Sequence, residues 1–171
     1  MANKAALTID ALEVDFSGFK AVDGVSMVVE EGELRVLLGA NGAGKTTLMD
    51  LISGKTKCTG GRVFVGEADI TNAEEHRIAR AGIGRKFQIP SVFRELSVRQ
   101  NLEVSSIKNP GVLSNLGLRF SSSQRERVDA ILAEMGLEEV ADENAGALSH
   151  GQTQWLELGM LLIQDPQILL L

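Results

Sequence analysis

Gly39-Ala40-Asn41-Gly42-Ala43-Gly44-Lys45-Thr46-Thr47 sets three glycines ahead of a lysine and two threonines, and that order of residue types has a chemical reading. Glycines let a backbone curl until several N–H groups face one point, where the oxygens of an anion can accept from them. The next residues, Leu48-Met49-Asp50-Leu51-Ile52, have a helix-like pattern, so the positive end of a helix dipole falls at the same point. In the pattern Gly-x-x-x-x-Gly-Lys-Thr, the lysine reaches the outer phosphates of a nucleoside triphosphate and the threonine hydroxyl ligates the accompanying Mg²⁺. The spacing predicts a triphosphate site in which Lys45 contacts the β- and γ-phosphates and Thr46 the metal.

Three further places hold candidate chemistry. In Leu148-Ser149-His150-Gly151-Gln152, Ser149 and Gln152 have capping-box spacing, and a small, glycine-containing approach to a helix start suits an anion. Phe16 and Phe19 precede the glycine-rich loop and could stack on a nucleobase, a contact worth about 1–3 kcal/mol per base and tolerant of base identity. Phe16 fits equally as a core residue of its strand. The chain has no tyrosine, so no phenol is available for the role. Gln88 follows the loop in a short extended run, where its own pattern reads as a solvated strand end. Cys58 has no second thiol or histidine cluster near it in sequence, and His76 lies in a charged helical segment that faces water.

The elements that must hold these residues follow from periodicity. Thr8 to Phe16, with Ile9, Leu12, Val14 and Phe16 apolar, reads as a half-buried strand, and Val25 to Val29 as a second. Glu30-Glu31-Gly32-Glu33 is a turn. Leu34 to Leu38 reads as a short apolar strand leading into the loop, and Arg62 to Val65 as another after the Gly60-Gly61 turn. Glu74 to Ala81 is helical and stops at Gly82; Ile83 to Gln88 is extended and ends before Pro90. From Val98 to Leu148 the texture is polar and helix-prone. Ser123 and Glu126 have the spacing of a capping box opening a helix through about Met135, with Gly136 as its stop. Thr153 to Gln164 is an amphipathic helix with Trp155, Leu158 and Leu162 on one face, and Ile168 to Leu171 is a final apolar strand.

The composition limits what this frame can be. With 171 residues, 44% of them hydrophobic, the chain suits one packed α/β domain. A formal net charge of −6 argues against coating a nucleic acid. A single cysteine, no apolar signal segment and no run of about 18 apolar residues point to a soluble protein of a reducing compartment.

Taken together the motifs resemble those of the ABC (ATP-binding cassette) ATPases, from Phe16 through Leu171. Leu148-Ser149-His150-Gly151-Gln152 is similar to the signature of that family, with His150 where the family has glycine; an imidazole changes charge near neutral pH. Gln88, within Phe87-Gln88-Ile89-Pro90, falls where the family has its glutamine loop, and Phe16 where it has the aromatic that stacks on adenine. The resemblance implies a P-loop nucleoside-triphosphate hydrolase core with N-terminal antiparallel strands and an inserted helical subdomain, divided as 1–97 plus 153–171 for the core and about 98–152 for the helical, signature-bearing part. It implies ATP and Mg²⁺, with Gln88 as a metal or water contact and the signature facing ATP held by a second ABC ATPase subunit. The implied partners are transmembrane permease subunits and, indirectly, a periplasmic solute-binding protein, with the chain cytoplasmic and peripheral at the inner face of the plasma membrane. Lys20-Ala21-Val22-Asp23-Gly24-Val25-Ser26 and Phe87 to Pro90 look like importers of branched-chain amino acids and urea; Leu148 to Gln152 with Trp155 to Met160 look most like the urea type.

The resemblance also places Ile168 to Leu171 on the strand that in the family delivers an aspartate for Mg²⁺ and a glutamate base. The expectation is a chain truncated one residue short of both, with an incomplete central sheet and negligible hydrolysis. A small-molecule P-loop kinase is the first rival, disfavoured by the signature-like segment. A DNA-repair or chromosome-organising ATPase is the second, disfavoured by the lack of heptads or a basic face. A non-catalytic, nucleotide-responsive module is the third.

Overall fold

The computed structural model describes residues 4–86, 92–107 and 120–171. The chain forms two compact units, Met1–Ile83 with Gln167–Leu170 and Gly84–Pro166 with Leu171, each around its own apolar core.

In the first unit, β1 (Ala5–Phe16) and β2 (Phe19–Glu30) pair as an antiparallel hairpin. The sheet continues through β3 (Gly60–Val65) and β4 (Ala68–Asp69) in the order β2-β1-β3-β4. Both hairpin strands run further than periodicity predicts, β1 taking in Ala5 to Leu7 and β2 Phe19 to Gly24, because ladder bonds carry pairing into residues that show no alternation of their own. The buried positions of β1 are Leu7, Ile9, Leu12 and Val14. The step from Ile9 to Leu12 would turn a regular strand over. A bulge absorbs it: Ala11 has φ 44°, the register slips between Ile9 and Leu12, and the Ala11 N–H donates to Ser26 Oγ at 2.8 Å. A bulge leaves one residue unpaired, and here the serine takes its donor.

Helix α1 (Lys45–Ile52) contributes Leu48, Leu51 and Ile52 to this core and α2 (Glu75–Arg80) contributes Ile78, against Val63 and Val65 of β3. β5 (Ile83–Arg85) and β6 (Ile168–Leu170) form a separate two-stranded sheet, with Ile83, Ile168 and Leu170 buried in the same cluster. The turn after β2 is held at Glu33, whose carboxylate accepts from the Glu30 N–H at 2.9 Å and pairs with Arg35. The Glu30 N–H, then Arg35, lower its pKa from the ordinary value.

One expected strand does not form. Leu34 to Leu38 has no ladder bonds, and Leu34, Val36 and Leu38 are 89%, 64% and 90% exposed. Four aliphatics in five residues give a strong strand signal, yet a strand needs a neighbour to bond to, and no described residue pairs with this one. Among the described residues the glycine-rich loop is therefore entered from an unpaired, solvent-exposed segment.

The second unit is helical: α3 (Val98–Ser105), α4 (Ser122–Met135) and α5 (His150–Leu162), with single 3-10 turns at Glu138–Val140 and Ala145–Ala147. Val98, Leu102, Val128, Leu132, Leu137 and Leu156 form the centre of its core. No helix among the described residues is long and apolar enough to cross a membrane.

Two details of the helical expectation are corrected. The capping box of α4 is Ser121 with Gln124, not Ser123 with Glu126. The Ser121 hydroxyl accepts from the Gln124 N–H at 3.2 Å and the Gln124 side chain accepts from the Ser121 N–H at 2.9 Å. Ser121-Ser122-Ser123 offers caps in several registers, and the one with glutamine three residues on closes both bonds. Gly136 ends this helix in the left-handed region, as expected. In α5 the buried residues are Leu156, Glu157 and Gly159, continued by Ile163 at the C-cap, while Trp155 is 52% exposed. From Trp155 to Leu162 only Glu157 is charged, so periodicity alone supports two phases over that stretch. Gly159 selects between them, since Ile131, Leu102 and Met135 atoms lie 3.1–3.3 Å from where its Cβ would be.

Asn101 organises the segment that precedes α3. It is wholly buried; its Nδ2 donates to the carbonyls of Phe93 and Ser97 at 3.0 and 2.9 Å and its Oδ1 accepts from the Phe93 N–H at 2.8 Å. The amide thus pins residues 93–97 to α3, beside a Ser97–Gln100 capping box that opens the helix.

Candidate functional site

The glycine-rich loop ends where helix α1 begins, with Gly44 as the N-cap. Gly42 and Gly44 have φ of 80° and 82°, the left-handed region that costs other residues about 1–2 kcal/mol. Space at Gly44 is tighter still, because a Cβ there would lie 2.4 Å from the Ala21 carbonyl oxygen of β2. The glycine therefore lets the loop seat on the hairpin. The first intrahelical bond runs from the Leu48 N–H to the Gly44 carbonyl at 2.8 Å, which leaves the N–H groups of Lys45, Thr46 and Thr47 as first-turn donors without an intrahelical acceptor. No side chain caps this end.

Lys45 folds back over the loop, its Nζ donating to the carbonyls of Gly39 and Ala40 at 2.7 Å each. The Ala43 N–H closes a turn onto the Ala40 carbonyl at 3.2 Å. Gly39, Ala40, Asn41, Gly42, Ala43 and Thr46 are exposed, and Gly44, Lys45 and Thr47 half-buried. First-turn N–H donors, the Lys45 ammonium and the hydroxyl of the exposed Thr46 thus belong to one short segment, with no carboxylate among Gly39 to Thr47. That set suits a polyphosphate. For Mg²⁺ the Thr46 hydroxyl is a fitting single protein ligand, since Mg²⁺ takes one or two protein oxygens and completes its shell with phosphate and water. No group of three or more His, Cys, Asp or Glu among the described residues could hold a metal by itself.

The hairpin whose Ala21 touches Gly44 ends in Phe16 and Phe19, directly opposed across the Ser17-Gly18 turn. They are 49% and 67% exposed, so Phe16 is not a core residue. Behind the tip, Lys20 pairs with Asp23 at 2.7 Å and Glu13 at 3.5 Å; hydrogen bonding to Asp23 raises its pKa above the ordinary value.

In the second unit, Leu148 is half-buried and Ser149, His150 and Gly151 are exposed at the start of α5. The expected cap is present: the Ser149 hydroxyl accepts from the Gln152 N–H at 3.3 Å and the Gln152 side chain accepts from the Ser149 N–H at 2.9 Å. His150 takes no part in it. An apolar hollow lined by Lys86, Gln154, Trp155, Leu158 and Leu171 flanks the same helix, where Lys86 bonds to Gln154; none of the candidate site residues lines it. Gln88 lies outside the described residues. His76 is exposed and Cys58 half-buried, its backbone N–H and carbonyl both bonded to the Asn72 side chain.

Periodicity reveals neither the buried role of Asn101 nor the seating of Gly44 on Ala21. The Ser97-x-x-Gln100 spacing marks the start of α3, whereas no local spacing links Ala21 to Gly44.

Comparison with known proteins matches residues 22–171 to the ABC transporter family model. A probable branched-chain amino acid transport ATP-binding protein, LivG, of Methanocaldococcus jannaschii is 36% identical over 162 residues, 91% of this chain and 63% of the relative. The high-affinity branched-chain amino acid transport ATP-binding protein BraF of Pseudomonas aeruginosa is 34% identical over 176 residues, 99% of this chain and 69% of the relative. The chain thus spans about two thirds of the length of these curated relatives. Among solved structures, the ADP conformation of MJ1267, an ATP-binding cassette of an ABC transporter, superposes with a TM-score of 0.82 at 32% identity, covering 96% of this chain and 67% of that one.

Proposed function

The chain belongs to the ABC transporter family, and on that premise we propose that it is an ATP-binding subunit that powers an importer of branched-chain amino acids. The observation that carries the proposal is the loop itself, with Lys45 bonded within it and Gly44 seated on Ala21, in a chain similar to LivG and BraF. Gly39, Ala40, Asn41, Gly42, Ala43, Gly44 and Thr47 cradle the phosphates of ATP, Lys45 contacts the β- and γ-phosphates, and Thr46 and Gln88 hold Mg²⁺. Phe16 stacks on adenine. Leu148, Ser149, His150, Gly151 and Gln152 face the nucleotide of a second ATPase subunit.

Phosphoryl transfer asks a protein chiefly for positioning and charge stabilisation, and these residues supply both. None of them is a carboxylate that could act as a base, so turnover by these 171 residues alone is proposed to be negligible. The subunit works at the inner face of the plasma membrane with permease subunits and, through them, a periplasmic solute-binding protein, and binds no nucleic acid. The resemblance of Leu148 to Gln152 and Trp155 to Met160 to urea importers makes urea the competing cargo.

Uptake in the native host tests the cargo. Disrupting the gene is expected to abolish transport of radiolabelled leucine and isoleucine and to leave urea uptake intact. Loss of urea uptake with leucine uptake preserved would reassign the importer.

A further inference from the structure

Asn41-Gly42 is the only Asn-Gly pair in the sequence, and the fold sets it at an exposed corner. The Ala43 N–H donates to the Ala40 carbonyl at 3.2 Å, so Asn41 and Gly42 are the central residues of a turn, and both are exposed. Nothing lies within 4 Å of where a Gly42 Cβ would be. Among the described residues, neither the Asn41 side-chain amide nor the Gly42 N–H has a hydrogen-bond partner. An untethered asparagine amide, next to an unhindered peptide nitrogen in water, is what deamidation needs, and asparagine is a thermolabile residue for that reason. The other described asparagines lack this arrangement. The Asn72 side chain bonds the Cys58 N–H and carbonyl at 2.7 and 3.1 Å, and the nitrogen after it, that of Ala73, donates to Ile70. Asn101 is wholly buried with its amide bonded. Asn144 is followed by the buried Ala145, whose N–H donates to the Leu96 carbonyl at 2.9 Å.

We propose that Asn41 is a site of spontaneous deamidation, that its conversion disables the phosphate loop, and that a bound triphosphate suppresses it. The last two effects rest on the reading of Gly39 to Thr47 as the triphosphate site. The Gly42 nitrogen attacks Asn41 Cγ and forms the new C–N bond of a five-membered succinimide. The Cγ–Nδ2 bond breaks, and Nδ2 leaves as ammonia with the proton that the Gly42 nitrogen gave up. Water then opens the ring at either carbonyl. Asparagine and water thus become aspartate or isoaspartate and ammonia, with nothing oxidised or reduced. Either product puts a carboxylate into a loop that has none, next to the Ala40 carbonyl on which the Lys45 ammonium rests. The new charge repels an incoming polyphosphate and competes with it for that ammonium. Isoaspartate also routes the main chain through the side-chain carbon, which displaces the N–H donors that follow. A phosphate oxygen held by the Gly42 N–H engages the nitrogen that would otherwise attack.

Incubating the 171-residue chain at mildly alkaline pH, with and without saturating MgATP, tests this. Peptide mass mapping reads conversion at each asparagine. The converted chain, separated on anion exchange by its extra negative charge, is titrated with tripolyphosphate beside fresh chain. Asn41 is expected to convert ahead of Asn72, Asn101 and Asn144, and MgATP to slow it about tenfold or more. The converted chain is expected to bind tripolyphosphate at least about tenfold more weakly, with its melting temperature unchanged. Asn41 converting no faster than Asn72 or Asn144, converting equally fast with MgATP, or converting without loss of affinity overturns the proposal. Fresh chain that fails to bind tripolyphosphate would instead overturn the phosphate-loop reading, whatever the map shows at Asn41.

Discussion

Replacing Lys45 with alanine is expected to weaken MgATP binding by about 100-fold, close to 2.7 kcal/mol, and to leave the thermal midpoint unchanged within about 2 °C. The binding loss follows from removing a cation that makes charge-assisted bonds to phosphate oxygens, each worth about 1.5–3 kcal/mol. The stability statement follows from where the ammonium sits. Its two bonds to the Gly39 and Ala40 carbonyls lie in an exposed loop, where water replaces them readily. It also lies at the N-terminus of α1, where a helix dipole disfavours positive charge. The residue is thus placed against local stability, which is expected of a group kept for an anion. Calorimetry with MgATP and a melting curve on the same samples read both effects; affinity within about fivefold of wild type would remove Lys45 from the site.

Gly61→Ala is expected to cost about 4 kcal/mol or more, a large share of the roughly 5–15 kcal/mol that domains hold in all. A Cβ at Gly61 would lie 2.2 Å from the Ala11 carbonyl oxygen and 2.5 Å from Ala11 C and Leu12 Cα. Every one of these atoms is backbone, so no rotamer change relieves the contact. The residue also has φ 81°, adding about 1–2 kcal/mol for a side chain in the left-handed region. The displaced segment is the bulge of β1, and β1 is bonded on both sides, to β2 and to β3, so the shift propagates across the sheet. Gly66→Ala is the matched control: φ is 54° and nothing lies within 4 Å of its Cβ. It should cost only about 1–2 kcal/mol. Urea denaturation of the two variants separates the contact from the backbone penalty; equal losses would show that the Ala11–Gly61 approach is not what strains Gly61→Ala.

The site was more legible in the sequence than the fold that presents it. The phosphate loop, the helix after it and the Ser149–Gln152 cap each depend on residues adjacent in the chain, and local spacing records such features directly. The bulge at Ala11 was latent in the three-residue step from Ile9 to Leu12, but its partner Gly61 is recorded only by distance in space. Leu34 to Leu38 failed as a strand for the converse reason: its pattern was right, while pairing depends on a neighbour that periodicity does not supply. The phase of α5 was undetermined because apolar residues fall on more than one face from Trp155 onward, and a glycine, the one residue that hydrophobicity ignores, set it. Phe16 illustrates the same limit. Its alternation with Leu12 and Val14 could mean core or exposed hairpin tip, and only the end of the sheet decides.

The account turns on Gly39 to Thr47 receiving a polyphosphate. Hydrogen–deuterium exchange of the 171-residue chain, read at the amides of residues 39–47 with and without saturating MgATP, tests it most directly. Amides bonded to phosphate oxygens exchange slowly, so protection is predicted to concentrate at Gly42 to Thr47 and to be absent with AMP, which lacks the outer phosphates. Protection elsewhere with none in this segment, or equal protection by AMP, would contradict the assignment.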